Sequence, residues 1–148
     1  MKKRMISVLL LSMLCMPVCA ACGEKNYADG TYTAQSSEYI NDEEDETAGN
    51  GYGVVSVTIK DNKITDCTFR TYELDGTLKG EEYGKENGEV ANRDFYNKAQ
   101  KAVAACDQYA AKLVETGSLK EVDAISGATV NYSEFKEAVK AALKQAEQ

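Results

Sequence analysis

Between residues 54 and 74 apolar and polar positions alternate with period two. Val55, Val57 and Ile59 interleave with Val54, Ser56, Thr58 and Lys60, which predicts a strand with one buried face. Asp61-Asn62-Lys63 reads as a turn, and Ile64 to Leu74 as the returning strand, with Thr65, Cys67 and Phe69 on one face. A three-residue turn places Val57 and Cys67 on the same side, so both strands share that face. Gly30-Thr31-Tyr32-Thr33-Ala34 has the β-branched and aromatic content of a further strand, running to about Tyr39. From Asn92 the period lengthens. Phe95, Ala99, Ala102, Cys106, Ala110 and Leu113 recur at steps of three and four, the apolar stripe of a helix, and Gly117 ends it. A last helix is expected from about Tyr132 to Ala146, with Phe135, Val139, Ala142 and Leu143 inward. Asn131 is its expected N-cap, and Glu134 completes a capping-box-like pair. The order implies an α+β fold: a small antiparallel sheet packed on one face by two main helices, in a single domain.

The connections are polar. Residues 22–28 read as a tether, with the domain spanning 29–146. Asp42 to Glu46 are five consecutive acids in a loop that lacks the ligand spacing of a calcium-binding loop. Asp75 to Ala91 is long for a structureless connection, and this marks it, with Tyr83 inside it, as mobile or functional.

A length of 148 residues suits one domain, and the formal charge of −7 makes the chain a poor nucleic-acid binder. There is no His, which excludes His-ligated metal and every catalytic pair built on imidazole. Met1 to Ala21 has the form of an export signal: Lys2, Lys3 and Arg4, then an apolar stretch closed by Pro17. Val18-Cys19-Ala20-Ala21-Cys22 resembles a bacterial lipobox, with Cys19 standing where an aliphatic residue is usual. That resemblance implies lipidation of Cys22 and a lipid-anchored protein on the outer face of the cytoplasmic membrane, with two or more acyl chains for firm attachment. Cys67 and Cys106 then remain in the domain, as a disulfide or as two buried thiols.

The chemistry concentrates at Asp123-Ala124-Ile125-Ser126-Gly127-Ala128-Thr129. Gly127 permits a tight turn, two hydroxyls flank it, and the N-terminus of the following helix points back at it, which suits a phosphate. This run resembles the flavinylation motif of the FMN-binding domain family. Members include flavin-bearing subunits of sodium-translocating quinone reductases and Rnf-type complexes, and Gram-positive lipoproteins of extracellular electron transfer. Asp29-Gly30-Thr31-Tyr32, the hairpin through Ile59-Lys60-Asp61-Asn62-Lys63-Ile64, and Phe135-Lys136-Glu137-Ala138-Val139 are similar to that family too.

The resemblance implies FMN held on Thr129 through a phosphoester, installed by a separate flavin transferase that uses FAD. Asp123, Ser126, Gly127 and Ala128 would form the recognised turn. It further implies an electron carrier more than a stand-alone enzyme, taking electrons from a membrane NADH dehydrogenase or a quinol and passing them to an extracellular acceptor. Tyr83, Tyr132 and Tyr52 are candidates to cover the flavin ring, Tyr83 first because of its loop. Two alternatives stand beside this reading: a flavin-dependent reductase with its own extracellular substrate, or a cofactor-free surface-binding lipoprotein. Saturable turnover of one acceptor would mark the former, and a colourless native protein the latter.

Overall fold

The computed structural model describes residues 25–42 and 49–148. The export segment, Cys22 and residues 43–48 of the acidic loop lie outside them. Three strands form an antiparallel sheet in chain order: β1 (Gly30–Gln35), β2 (Tyr52–Lys60) and β3 (Lys63–Tyr72). They are followed by helix α1 (Arg93–Thr116), a short 3₁₀ turn at Leu119–Glu121, and helix α2 (Thr129–Ala146). Helix α1 lies on β3, and α2 on β2 and β1. The α+β fold expected from the pattern is the fold observed.

The hairpin differs from expectation in an instructive way. Its turn has two residues, Asp61 and Asn62, both with positive φ (51° and 60°), the conformation of a type I′ hairpin turn. Lys63 already pairs with Lys60 and Ile64 with Ile59, yet Val57 still faces Cys67, because the register slips between Thr58 and Ile59. That bulge absorbs Thr65. Thr65 is therefore exposed, donating its hydroxyl to the Thr58 carbonyl at 3.3 Å, while Ile64 packs against the core. Strand β1 stops short of Tyr39 for a similar reason. Ser36 breaks the ladder, its hydroxyl accepting the Gly53 N–H at 2.9 Å, and pairing resumes only at Tyr39 with Gly51.

The core lies between sheet and helices. Val55, Val57, Phe69, Leu113, Phe135, Ala138, Val139 and Ala142 are fully enclosed. Phe69 meets Phe135 edge-on at 5.0 Å, and Tyr109 stacks on Phe135 at 5.6 Å, the offset and edge geometries aromatic rings favour. Helix α1 follows its predicted stripe, from an Asn92 cap that accepts the Phe95 N–H to a left-handed Gly117. Phe95 departs from that stripe: it opens the helix and stays 37% exposed. Cys67 and Cys106 are both buried free thiols. Burial pushes Cys67 up to about 12.

The last helix starts earlier than its pattern suggests. The Tyr132 N–H already donates to the Ala128 carbonyl at 3.0 Å, so Thr129 is the first helical residue and Ala128 the cap. Asn131 is thus inside the first turn, not a cap. Its side chain bridges to α1 instead, donating to the Ala102 carbonyl at 3.1 Å and lying 3.3 Å from the Cys106 sulfur. Glu134 completes no capping box. It is buried.

Candidate functional site

The turn before α2 is held from behind by two tyrosines. The buried Tyr109 hydroxyl accepts the Ile125 N–H at 2.9 Å and donates to the Ala128 carbonyl at 3.0 Å. Tyr132 donates its hydroxyl to the Val122 carbonyl at 2.7 Å. Gly127 takes φ +85°, a left-handed conformation that a side chain would strain. Thus the backbone of 122–128 is fastened inward while Asp123, Ser126, Gly127 and Thr129 are exposed.

Thr129 stands at the mouth of a cleft of about 370 Å³ between the head of α2, the first turns of α1 and the loop after β3. Gly127, Ala128 and Thr129 form one side, Phe95, Ala99, Ala102 and Val103 another, and Thr71, Lys79 and Tyr83 the third, with Lys98 and Asn131 also on its wall. The first N–H groups of α2 lack intrahelical acceptors. No side chain caps them, and no acidic residue lies in the first turn. This end is a positive dipole terminus left open.

The cleft therefore brings together Tyr83, Gly127, Ala128 and Thr129 among the residues singled out by sequence. Asp123 and Ser126 lie on the outer side of the turn. Tyr132 is occupied in holding Val122, with Tyr109 beside it at 5.5 Å. Tyr52 stacks on Tyr72 at 5.5 Å instead. Tyr83 alone of the three candidate rings lines the cleft. Its hydroxyl accepts the Gly49 N–H at 3.2 Å, and the Lys79 ammonium sits 5.2 Å from its ring centre while donating to the Gly49 carbonyl at 3.0 Å. Gln100 adds two bonds, to the carbonyls of Gly80 and Tyr83. The long loop is built, not loose.

The FMN-binding domain family matches residues 49–144, a span that takes in the hairpin, α1, all but the last two residues of α2, and the whole cleft. The chain belongs to that family. The solved structures it resembles include the CPE2226 protein of Clostridium perfringens, at 23% identity and TM-score 0.56 over 81% of this chain and 88% of that one. A solution structure from Clostridium thermocellum shares 24% identity over 81% and 92%, at TM-score 0.40. The first likeness supports the fold. No curated protein matches the chain significantly.

FMN fits this cleft by its chemistry. The volume lies within the range of small-molecule sites. Phe95 and Tyr83 offer flat aromatic surface, Ala99, Ala102 and Val103 an apolar floor, and Lys79, Lys98 and the open helix terminus positive charge for a phosphate. Sequence reading missed Tyr109, Phe95, Lys79 and Lys98 as contributors. Tyr109 sits three residues beyond Cys106 on the stripe of α1, so its position was detectable and its grip on the turn was not. Phe95 reads as core from its place on the apolar stripe. Lys79 lies in a charged loop where no pattern distinguishes it from its neighbours.

A buried carboxyl lies near the Lys79 side of the cleft. Glu134 is 4% exposed and Lys79 6%. Burial pushes the Glu134 carboxyl up to about 7, opposed by the nearby Lys79 charge. Burial likewise lowers the Lys79 ammonium from its ordinary range, opposed by Glu134 and Glu73, and raises the Tyr83 phenol.

Proposed function

We propose that this protein is a lipid-anchored extracytoplasmic flavoprotein that carries FMN covalently on Thr129 and relays electrons from a membrane donor to an extracellular acceptor. The observation that carries the reading is the exposed Thr129, first residue of an uncapped helix, lining a cleft with aromatic and cationic walls. A hydroxyl in that position is open to a modifying enzyme and sits where a phosphodiester's negative charge is stabilised by roughly 0.3–1 kcal/mol.

In this reading a flavin transferase recognises the outward turn, Asp123, Ser126, Gly127 and Ala128. The Thr129 oxygen then forms a bond to the FMN phosphorus of FAD, the pyrophosphate bond breaks, AMP leaves, and the hydroxyl proton goes to solvent. Tyr83 and Phe95 would offer aromatic surface to the flavin, while Lys79 and Lys98 would supply positive charge. Bound FMN supplies one- or two-electron chemistry. The chain's part is to hold it, orient it and shield one side from water. Covalent attachment also keeps the cofactor on a protein facing dilute surroundings. The lipobox-like Cys22 supplies the membrane anchor, a membrane NADH dehydrogenase or quinol the electrons.

The test is intact-mass spectrometry of the mature protein from cells coexpressing the transferase. A gain of one FMN that disappears in Thr129→Ala is expected. No gain, or a gain that survives the substitution, rules out attachment there. In the same preparations Cys22→Ser should move the protein from the detergent phase to the aqueous phase.

A further inference from the structure

Helix α2 brings two different residues to the same face one turn apart. Asn131 lines the cleft, and Glu134 lies three residues further along, about 4.5 Å down the axis. Neither Glu134 oxygen has a hydrogen-bond partner among the described residues, an arrangement native proteins rarely keep without a use for it. Room for it is built into β2. A Cβ on Gly53 would meet the Phe69 ring at 2.6 Å and the Glu134 Cβ at 3.0 Å, and one on Gly51, just before the strand, would meet the Tyr72 carbonyl oxygen at 1.9 Å and the Lys79 nitrogen at 2.8 Å. The two glycines thus leave room for the Phe69 ring and the Tyr72 carbonyl and, beside them, for Glu134 and Lys79.

The titratable groups that act on Glu134 come from two elements. Lys79 and Tyr83 belong to the loop after β3, and Cys106 to α1. The sheet contributes Gly53 and Phe69 beside it, and Thr71 nearby, none of which titrates. Lys79 also feels Glu73. Its ammonium donates to the Gly49 carbonyl, leaving Glu134 influenced by a positive charge that does not neutralise it. Thr71, Lys79 and Tyr83 all reach the cleft wall, so the buried Glu134 adjoins the proposed flavin site through Lys79.

We propose that Glu134 is a redox-linked proton site, taking up a proton when negative charge enters the cleft above it and releasing the proton when that charge leaves, with Lys79 setting its affinity. The inference rests on the flavoprotein reading. When a quinol or reduced-nicotinamide donor delivers two electrons to the cleft, Glu134 accepts one proton from solvent. One O–H bond forms, the carboxylate becomes a carboxylic acid, and a negative charge under the cleft is removed as another appears above it. This proton is additional to any bound by the ring. Transfer of the electrons to the acceptor reverses the step and returns the proton to solvent. The position of the carboxyl near 7 leaves both forms accessible at neutral pH.

Two measurements test this. In the unloaded protein, infrared difference spectra across pH should show a buried carboxylic C=O band that fades as pH rises through about 7. The band should be missing in Glu134→Gln and should persist to higher pH in Lys79→Met, because Lys79 favours the ionised form. A carboxylate that stays ionised down to the ordinary carboxylate range, or a band unchanged in Glu134→Gln, overturns the assignment. In the FMN-loaded full-length protein, midpoint potential is followed against pH by spectroelectrochemistry. Above about pH 7 the wild-type potential should fall more steeply than that of Glu134→Gln, by one proton per two electrons. Parallel lines in a loaded protein overturn the coupling alone, whereas failure of the chain to acquire FMN overturns the flavoprotein reading and the coupling with it. Should Glu134→Gln fail to fold, Lys79→Met carries both arms, its steep segment expected at higher pH and an unmoved segment counting against the proposal.

Discussion

Strand β2 presents one face to the interior and treats its two ends in opposite ways. From Val55 to Ile59 it sends in three hydrocarbon side chains, each 0–1% exposed, against Phe135, Val139 and Ala142. On the same face Gly53, and Gly51 just before the strand, send in nothing, and Glu134 and Lys79 pack there beside the Phe69 ring and the Tyr72 carbonyl. The same two layers thus make an oil-like end and a charged end. Apolar burial at about 25 cal/mol per Å² accounts for the first. It gives no reason for the second, since an unpartnered buried carboxylate opposes folding. The contrast separates what holds this domain together from what it is for.

The largest effect is expected from breaking the apolar end. Phe135 is fully buried between Phe69 and Tyr109, so Phe135→Ala should cost about 3–5 kcal/mol. Urea unfolding at neutral pH measures it. A loss below about 1 kcal/mol would show that the site collapses around the gap and that the aromatic cluster is not the keystone of this layer.

The charged end predicts a smaller effect with a distinctive pH dependence. The ordinary value for Glu134 is 4.5, and in the fold it stands at about 7. The folded chain therefore keeps a proton over a window in which the unfolded chain has released it. The stability this contributes is complete below about 4.5, declines as pH rises through the window, and is gone above about 7. The span is worth about 3 kcal/mol. Subtracting the pH profile of Glu134→Gln from that of the wild type isolates it from the repulsion among the many surface acids. A flat difference would mean that water or a shifted side chain already satisfies the carboxylate.

How much of this contrast was legible in the sequence follows from how local each signal is. The oil-like end is written in periodicity: Val55, Val57 and Ile59 at period two, Phe135, Val139 and Ala142 at helical spacing. The turn proposed to carry the cofactor was legible as a turn because Asp123 to Thr129 is contiguous. The charged end is assembled from one residue in a loop, one in a helix, a glycine on a strand and another just before it, far apart in the chain and without period. Glu134 had a ready local explanation as a capping partner of Asn131. That explanation failed because the Gly127 turn lets α2 begin at Thr129. The bulge at Thr65 was equally invisible, because a two-residue turn plus one extra residue gives the same inward pairing of Val57 and Cys67 as a three-residue turn.

The smallest predicted effect concerns how the cleft wall is fastened. Tyr83 contributes a ring to the wall and a hydroxyl that accepts the Gly49 N–H, while Lys79 holds the Gly49 carbonyl and lies over the same ring. Tyr83→Phe removes the hydroxyl and keeps the ring. It should cost about 0.5–1.5 kcal/mol, the usual worth of one such bond, and should speed hydrogen exchange at the Gly49 amide more than at amides of β2. FMN loading should be unchanged, since the face offered to the ring is intact. Tyr83→Ala removes both, and with them the surface over which Lys79 is placed. If Tyr83→Phe impairs loading as severely as Tyr83→Ala, the hydroxyl matters more than the face, and the ring's place in the wall is incidental. If exchange at Gly49 is unmoved, the Lys79 bond alone holds that segment, and the charged end fastens the cleft wall as well as lining it.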